Sequence, residues 1–404
     1  MQYQNIITDA QLRQYCDELV QAKSIGLDTE FVAEDTFRPI LCLVQVVADE
    51  NLAVIDPLAI GDLTPFWEAL ARPGHETIVH SGRGEIEFSL QAIGQVPAQL
   101  FDIQLAAGLV GMEYPAGYAT LIGRLFGEAP SKHETRTDWR RRPLSSRQLE
   151  YALNDVRYLQ PLHDRLLAQL KQLGRESWMA EEMASWQGEI QRANSEERWW
   201  RVSGNTSLNG RALAIVRELW RWRQAEAERL DKPARRILRD DLIIELAKRQ
   251  TADPKQIQAV RGMEWGRLRS QLPELSECIR RGLETPEKDF VRPRYRESPP
   301  QLAMLGQFLS SALGSICRQS QLAPNLVGTP SDVRDLILYR TAREAVADPP
   351  HLAQGWRAEV VGRLFEDLLE GRKAIRIDDP MSEHPLVIET LNATRTAGTV
   401  EMER

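Results

Sequence analysis

The sequence predicts an α/β domain with a mixed sheet, followed by all-helical domains. Short apolar runs separated by turns recur between Ser24 and His80, the pattern of strands in one sheet. Beyond Ser145 apolar residues return at three- and four-residue steps almost throughout, which is the period of helices. At 404 residues the chain is also too long for one core, so two or three folding units are expected.

The strands are read from SIGLDTEF, LCLVQVVA, NLAVID and ETIVH, with FDIQ as a further short one. Helical spacing covers Glu85 to Ile93, Leu105 to Val110 and Ala119 to Phe126, and strands followed by interleaved helices imply a mixed sheet. In LSSRQLEYALNDVRYLQPLHDRLLAQLKQL, Leu149, Ala152, Val156, Leu159, Leu162 and Leu166 form one helical stripe, which Pro161 is expected to kink. A first domain over 1–172 is followed by a helical linker over 173–206, whose SGNTS segment reads as a boundary. A helical domain over 207–285, a Pro-rich charged linker over 286–300 and a third helical unit over 301–376 come next. Residues 377–404 lack periodicity and read as a flexible tail.

Hydrophobic residues at 42% and charged residues at 27% are the balance of a soluble globular protein. No basic start with an apolar run opens the chain, and no stretch approaches the roughly 18 apolar residues that span a bilayer, so neither secretion nor a membrane partner is expected. Cys16, Cys42, Cys278 and Cys317 are scattered, which argues against a disulfide framework or a Cys-based zinc site and suits a reducing cytoplasm. The net charge of −7 does not exclude nucleic acid as a partner, because backbone binding depends on where the basic groups sit.

Asp28 and Glu30 stand two apart on a predicted strand, so their side chains share a face and can share metal ions. Alone, the pair is more simply a strand end with two solvated acids. Tyr151 and Asp155, four apart on a helix, lie on one stripe, and alone they too read as an ordinary helix surface. The joint order carries more weight: LDTEF on an early strand, an acidic residue after HSG at a strand-to-helix junction, and Y-x-x-x-D on a later helix.

That order resembles the DEDD exonuclease superfamily in its tyrosine-bearing branch, and SKHETRTDWRRRPLSSRQLEYALNDVRYL is similar to the third-motif region of the bacterial ribonuclease D family. The resemblance covers roughly residues 1 to 170 densely and the C-terminal half in domain order. It implies a ribonuclease H-like exonuclease domain and a metal-dependent 3′→5′ exoribonuclease releasing 5′-mononucleotides, with transfer-RNA precursors bearing 3′ tails as the substrate class. By the resemblance Asp28, Glu30 and Asp155 are metal-binding carboxylates and Tyr151 orients the attacking water. Two Mg²⁺ or Mn²⁺ ions suit such an oxygen-only donor set. In the second motif HSGRGEIEF offers Glu85 as catalytic residue and metal ligand where the family has aspartate, and one extra methylene shifts its oxygens by about 1 Å, enough to affect the rate.

Gly82-Arg83-Gly84 lacks the third glycine of a dinucleotide loop and no P-loop is present, so no nucleotide cofactor is expected. His80, His133 and His163 lack metal-ligand spacing and are read as structural, His80 as a strand-end packing residue. Phe31 is a candidate to stack on a terminal base, and Gln45, polar inside an apolar strand, a candidate to face the cleft or to bond a neighbouring loop. Lys132, Arg136 and Arg142, within a basic stretch that also holds Arg140, Arg141 and Arg147, are candidate phosphate contacts.

NGRALAIVRELWRWRQAEAERLDKPARRILRDDLIIELAKRQ resembles the HRDC module, and Lys232, Arg235 and Arg236, with Arg239, could follow a phosphate backbone. Residues 301–376 look like a divergent second copy, which makes two all-α HRDC-like domains behind the first. A monomer is expected. The competing expectations are a catalytically weak RNA-binding protein, should Glu85 compromise the metal site, and a 3′→5′ DNA exonuclease.

Overall fold

The computed structural model describes residues 2–127, 137–263, 266–290, 300–341 and 349–391. Strands β1 (Gln4–Ile6), β2 (Ser24–Val32), β3 (Ile40–Ala48), β4 (Asn51–Ile55), β5 (Glu76–Val79) and β6 (Leu100–Asp102) make one sheet in the order β1-β4-β3-β2-β5-β6. β2 runs antiparallel to β3 and parallel to β5, so the sheet is mixed, as expected. β1 and the helices α1 (Asp9–Leu19) and α2 (Thr64–Ala71) carry no reading in the sequence analysis.

The central place of β2 explains its composition, because both of its faces are covered. One face carries Ile25, Leu27, Thr29 and Phe31 by alternation, and its core includes Leu12, Phe66 and Ile86 from α1, α2 and α3 (Arg83–Ile93). The other carries Gly26, Asp28, Glu30 and Val32, and here Leu43, Val54, Ala152 and Leu153 form a separate cluster with Trp139. The register pairs Asp28 with Gln45, and a bulge between Glu30 and Phe31 ends the regular pairing.

After α4 (Ile103–Leu109) and α5 (Tyr118–Phe126), the long predicted helix is two: α6 (Ser146–Arg157) and α7 (Leu159–Gln172). The break falls at Tyr158, three residues before Pro161, which has no N–H to offer the Arg157 carbonyl and so weakens the helical ladder at this junction. The junction presses on the sheet where Gly26 leaves room: a Cβ there would lie 2.5 Å from Val47 Cγ1 and 3.1 Å from Leu159 Cδ1.

α8 (Glu176–Ser195) forms most of the helical linker. The middle domain holds α9 (Gly210–Arg229), α10 (Ala234–Ile237), α11 (Asp240–Arg249), α12 (Pro254–Gln258), α13 (Gly266–Ser270) and α14 (Leu272–Glu284), with a core of its own. The last unit, α15 (Pro300–Gln319), α16 (Pro324–Val327), α17 (Pro330–Thr341), α18 (Gly355–Arg357), a π turn (Ala358–Gly362) and α19 (Arg363–Leu369), shares the first domain's core. Two buried arginines seal that union. Arg175 donates to the carbonyls of Leu109 and Gln321 at 2.7 Å each and to that of Ser320, while Arg357 pairs with Glu182 and caps the Val327 and Leu326 carbonyls.

The middle domain meets the first through exposed polar contacts with the loop after β2. Arg38 pairs with Glu228 at 2.8 Å, Arg236 with Asp35 at 3.0 Å, and the Phe37 N–H donates to Asp231. The expectation of a flexible tail from 377 fails for residues 377–391, because β7 (Lys373–Ile377) and β8 (Leu386–Thr390) form an antiparallel hairpin whose Ile375, Leu386 and Ile388 pack on the main core. Among the described residues no helix is long and apolar enough to cross a membrane.

Candidate active site

The side chains singled out by the sequence meet where β2, α3 and α6 approach one another. β2 supplies Asp28 and Glu30 on the face toward α6. α6 begins firmly: Ser145 caps it, Gln148 completes a capping box, and the Gln148 amide donates to Thr137 Oγ1 at 3.2 Å. Tyr151 and Asp155 then fall on the stripe facing the sheet, with the phenol hydrogen-bonded to the carboxylate.

Carboxylate oxygens of Asp28, Glu30 and Asp155 lie within 4.8 Å of one another. No cation side chain pairs with any of the three among the described ion pairs, and the pKa directions follow from that. Burial first, then the charges of Glu85, Asp155 and Glu30, push the Asp28 carboxyl well above its usual range. Glu30 is raised to about 8 by burial and by Asp155 and Glu85. Asp155 is raised to about 6 by burial, against the lowering effect of the Tyr151 hydrogen bond. Tyr151 is itself pushed upward by burial and the neighbouring carboxylates, so its hydroxyl stays un-ionised. Three mutually repelling carboxylates with oxygen as the sole donor type are a fit for hard divalent cations, which would compensate the charge that protons otherwise neutralise.

Glu85 stands apart from this group. It projects from the first turn of α3, on the sheet face of Thr29, and its Oε1 accepts from Thr29 Oγ1 at 2.6 Å. Burial raises it to about 7, against that hydrogen bond. Of the four carboxylates expected to converge, the structure brings three together within 4.8 Å, and Glu85 is not among them. The longer glutamate reaches Thr29, on the side of the strand opposite to Asp28 and Glu30, yet remains near enough to raise the pKa of both.

Phe31 is 42% exposed and meets Phe88 edge-on at 5.6 Å, so it stands beside the carboxylates with a free ring surface. Gln45 is 0% exposed beside Asp28 across the strand pair, and neither amide atom has a partner. That corrects its reading as a substrate contact, since α6 roofs it over. Arg142 is corrected as well: its guanidinium grips Asp56 at 2.5 and 2.6 Å and the carbonyls of Cys42 and Trp139 at 2.7 Å each. It fastens the segment leading into α6 to the sheet and has little left for phosphate. Lys132 and Arg136 lie outside the described residues, as does His133.

In the middle domain Arg235 pairs with Asp240 at 3.1 Å, Arg236 with Asp35, and Arg239 with Asp241, while Lys232 is exposed. The basic cluster is thus largely balanced by acids, and although Asp240 is itself only 12% exposed, the three arginines stand at exposed positions where phosphate can compete.

His80, read from the sequence as structural only, and Tyr118, which the sequence did not single out, also belong to the site. Both line a cavity of about 180 Å³ with Leu27, Asp28, Tyr151, Asp155 and Leu159. His80 does pack at a strand end, with Nε2 2.9 Å from the Ala116 carbonyl, but it also walls the site. Tyr118 carries no spacing signal, because its partner residues come from a distant helix. A larger cleft of about 1260 Å³ lies between the first domain, the last unit and the hairpin, and its charged lining, including Arg124, Arg318, Glu113 and Glu383, is of both signs.

Residues 3–171 match the family described as 3'-5' exonuclease, and residues 212–279 match the HRDC domain. A ribonuclease D of Gluconacetobacter diazotrophicus is 33% identical over 377 residues, covering 92% of this chain and 94% of the relative. One of Acidiphilium cryptum is 36% identical over 373 residues, with 92% and 94% covered. Among solved structures, Escherichia coli RNase D, described as an exoribonuclease involved in structured RNA processing, superposes with a TM-score of 0.80 at 27% identity, covering 92% of this chain and 99% of that one.

Proposed function

The chain belongs to the ribonuclease D family and is a metal-dependent 3′→5′ exoribonuclease, and we propose that it trims transfer-RNA precursors from their 3′ ends, one 5′-mononucleotide at a time. The observation that carries the reading of the site is the convergence of Asp28, Glu30 and Asp155 within 4.8 Å beside the Tyr151 hydroxyl.

In this reading those three carboxylates hold two divalent cations, Mg²⁺ or Mn²⁺, with Glu85 supporting from behind through Thr29. When bound, the cations supply the positive charge that lowers the pKa of the attacking water and neutralises the leaving 3′ oxygen. The chain does the positioning. Tyr151 commits its proton to Asp155, which leaves its phenolic oxygen as an acceptor for a hydrogen of the attacking water, turning the water's oxygen toward phosphorus in line with the scissile P–O3′ bond. Phe31 offers an aromatic face to the terminal base. Lys232, Arg235 and Arg236 grip phosphate farther along the RNA, exchanging acidic partners for it, and the unit over 301–376 serves as a second, divergent HRDC-like module. The four cysteines, free and buried, suit a protein working in the reducing cytoplasm, and the reading takes it to act as a monomer.

The test offers 5′-labelled precursor RNA and the equivalent DNA with Mg²⁺ or Mn²⁺ to the wild type and to Asp155→Asn. Stepwise shortening of RNA by the wild type alone is expected. Equal shortening by the variant removes Asp155 from the site, and preferential shortening of DNA overturns the substrate assignment.

A further inference from the structure

Tyr118 opens α5, far in sequence from α6, yet its hydroxyl is built into the α6–α7 junction. It accepts from the Tyr158 N–H at 3.1 Å and donates to the Asn154 carbonyl at 3.3 Å. In an uninterrupted helix those two groups bond to each other directly, i to i−4. The phenol therefore stands as an extra link in one rung of the ladder, a known way to bend a helix. Asp155 lies inside the turn that this rung closes, between the two bonded residues.

The ring is held in place. It packs on the His80 ring at 5.5 Å, and the imidazole bonds the Ala116 carbonyl, which also accepts from the Gln104 amide at 3.0 Å. Tyr118 is not one of the three clustered carboxylates' hydrogen-bond partners, but it walls the same 180 Å³ cavity as Asp28, Tyr151 and Asp155.

From this geometry we propose that Tyr118 is a positioning residue of the metal site: by inserting its hydroxyl between Asn154 and Tyr158 it fixes the bend between α6 and α7, and with it the approach of the Asp155 carboxylate to Asp28 and Glu30. The proposal rests on the reading of Asp155 as a metal ligand. A Phe ring keeps the packing on His80 and deletes the linking oxygen. The turn carrying Asp155 then closes on itself or opens, and a displacement near 1 Å at a reacting centre costs up to about a hundredfold in rate.

Tyr118→Phe is expected to lower kcat about ten- to a hundredfold on single-stranded RNA, to leave KM within about twofold, and to raise the Mn²⁺ concentration giving half-maximal rate at least about fivefold. Mn²⁺ binding without RNA, followed by electron paramagnetic resonance, should weaken in parallel. Unchanged kcat and Mn²⁺ binding overturn the proposal, and so does a rise in KM alone, which would make Tyr118 a substrate contact. Val333→Ala in α17, buried and not among the residues lining the cavity, controls for lost stability: at a matched fall in Tm it should keep kcat, and an equal loss of kcat in this control would make the Tyr118 effect mere destabilisation. Asp155→Asn is assayed alongside. If that variant stays active, the ligand reading fails; if it is dead while Tyr118→Phe is normal, only the role of Tyr118 fails.

Discussion

Titration of the metal-free enzyme with Mn²⁺ at pH 6 and at pH 8 should give binding midpoints about fifty-fold apart, with the tighter binding at the higher pH. The figure comes from Glu30, whose carboxyl is raised to about 8 by burial and its acidic neighbours. A group with that pKa is ionised to about 1% at pH 6 and to about half at pH 8, and a cation that needs the ionised form gains affinity in that proportion. Asp28, displaced the same way, adds to the effect. Calorimetry in buffers of different ionisation enthalpy counts the displaced protons, and roughly one to two should leave per site filled at pH 7. The stability of the metal-free protein should move oppositely. A carboxyl bound more tightly to its proton in the fold than in the unfolded chain stabilises below the unfolded value near 4, and that contribution is lost as pH rises through about 6 to 8, where Asp155, Glu85 and Glu30 titrate. Adding Mn²⁺ should cancel that loss. A midpoint ratio under about threefold with no proton release would refute the picture of carboxylates kept protonated by their own crowding.

Four other perturbations test the supports of the site and of the fold. Glu85→Asp shortens the side chain by one methylene, drawing its oxygens back by about 1 Å from Thr29 Oγ1, and leaves a buried hydroxyl unpaired, so urea denaturation should show a loss of about 1–3 kcal/mol, whereas no loss would mean that Thr29 finds another partner. Arg142→Lys forfeits the two-pronged grip on Asp56 and should cost about 2–3 kcal/mol with KM for RNA unchanged; a raised KM at unaltered stability would instead restore Arg142 as a phosphate contact. Arg357→Ala strands the buried Glu182 and should cost about 3–5 kcal/mol in the same assay, while Arg236→Ala at the exposed Asp35 contact should stay within about 1 kcal/mol, and equal costs would contradict the difference in burial.

How much of this was legible depended on the range of the interaction. The period-two alternation of β2 placed Asp28 and Glu30 on one face, and the four-residue step of α6 aligned Tyr151 with Asp155, because both are properties of a single element. The mixed sheet followed from the same local periodicity, although β1, three residues long with two of them exposed, left no pattern to read. Glu85 was found by its place after HSG, but its bond to Thr29 depends on which side of the strand α3 packs, and that lies beyond any local signal. Gln45 and Arg142 misled for different reasons. A polar residue amid apolar ones, such as Gln45, is equally consistent with exposure to a ligand and with burial under a neighbour, whereas Arg142 sits in a basic stretch whose composition does not reveal that Asp56, distant in sequence, claims its guanidinium. Tyr118 was invisible because a phenol that completes another helix's ladder leaves no mark on its own. The hairpin at 373–390 escaped because its strands are mostly charged or half-exposed, which hides the alternation.

The pooling of one hydrophobic core between the two ends of the chain has a bearing on synthesis. α4 and α8 pack against residues from 309 to 365, so the first domain emerges from the ribosome with an apolar flank that nothing yet synthesised can cover. The middle domain, sealed around its own interior, is free to fold while that flank waits. Assembly of the nuclease therefore finishes late, when the final helices close back over the beginning, and a transcript truncated after residue 290 would yield a sound middle module attached to a catalytic half prone to clump.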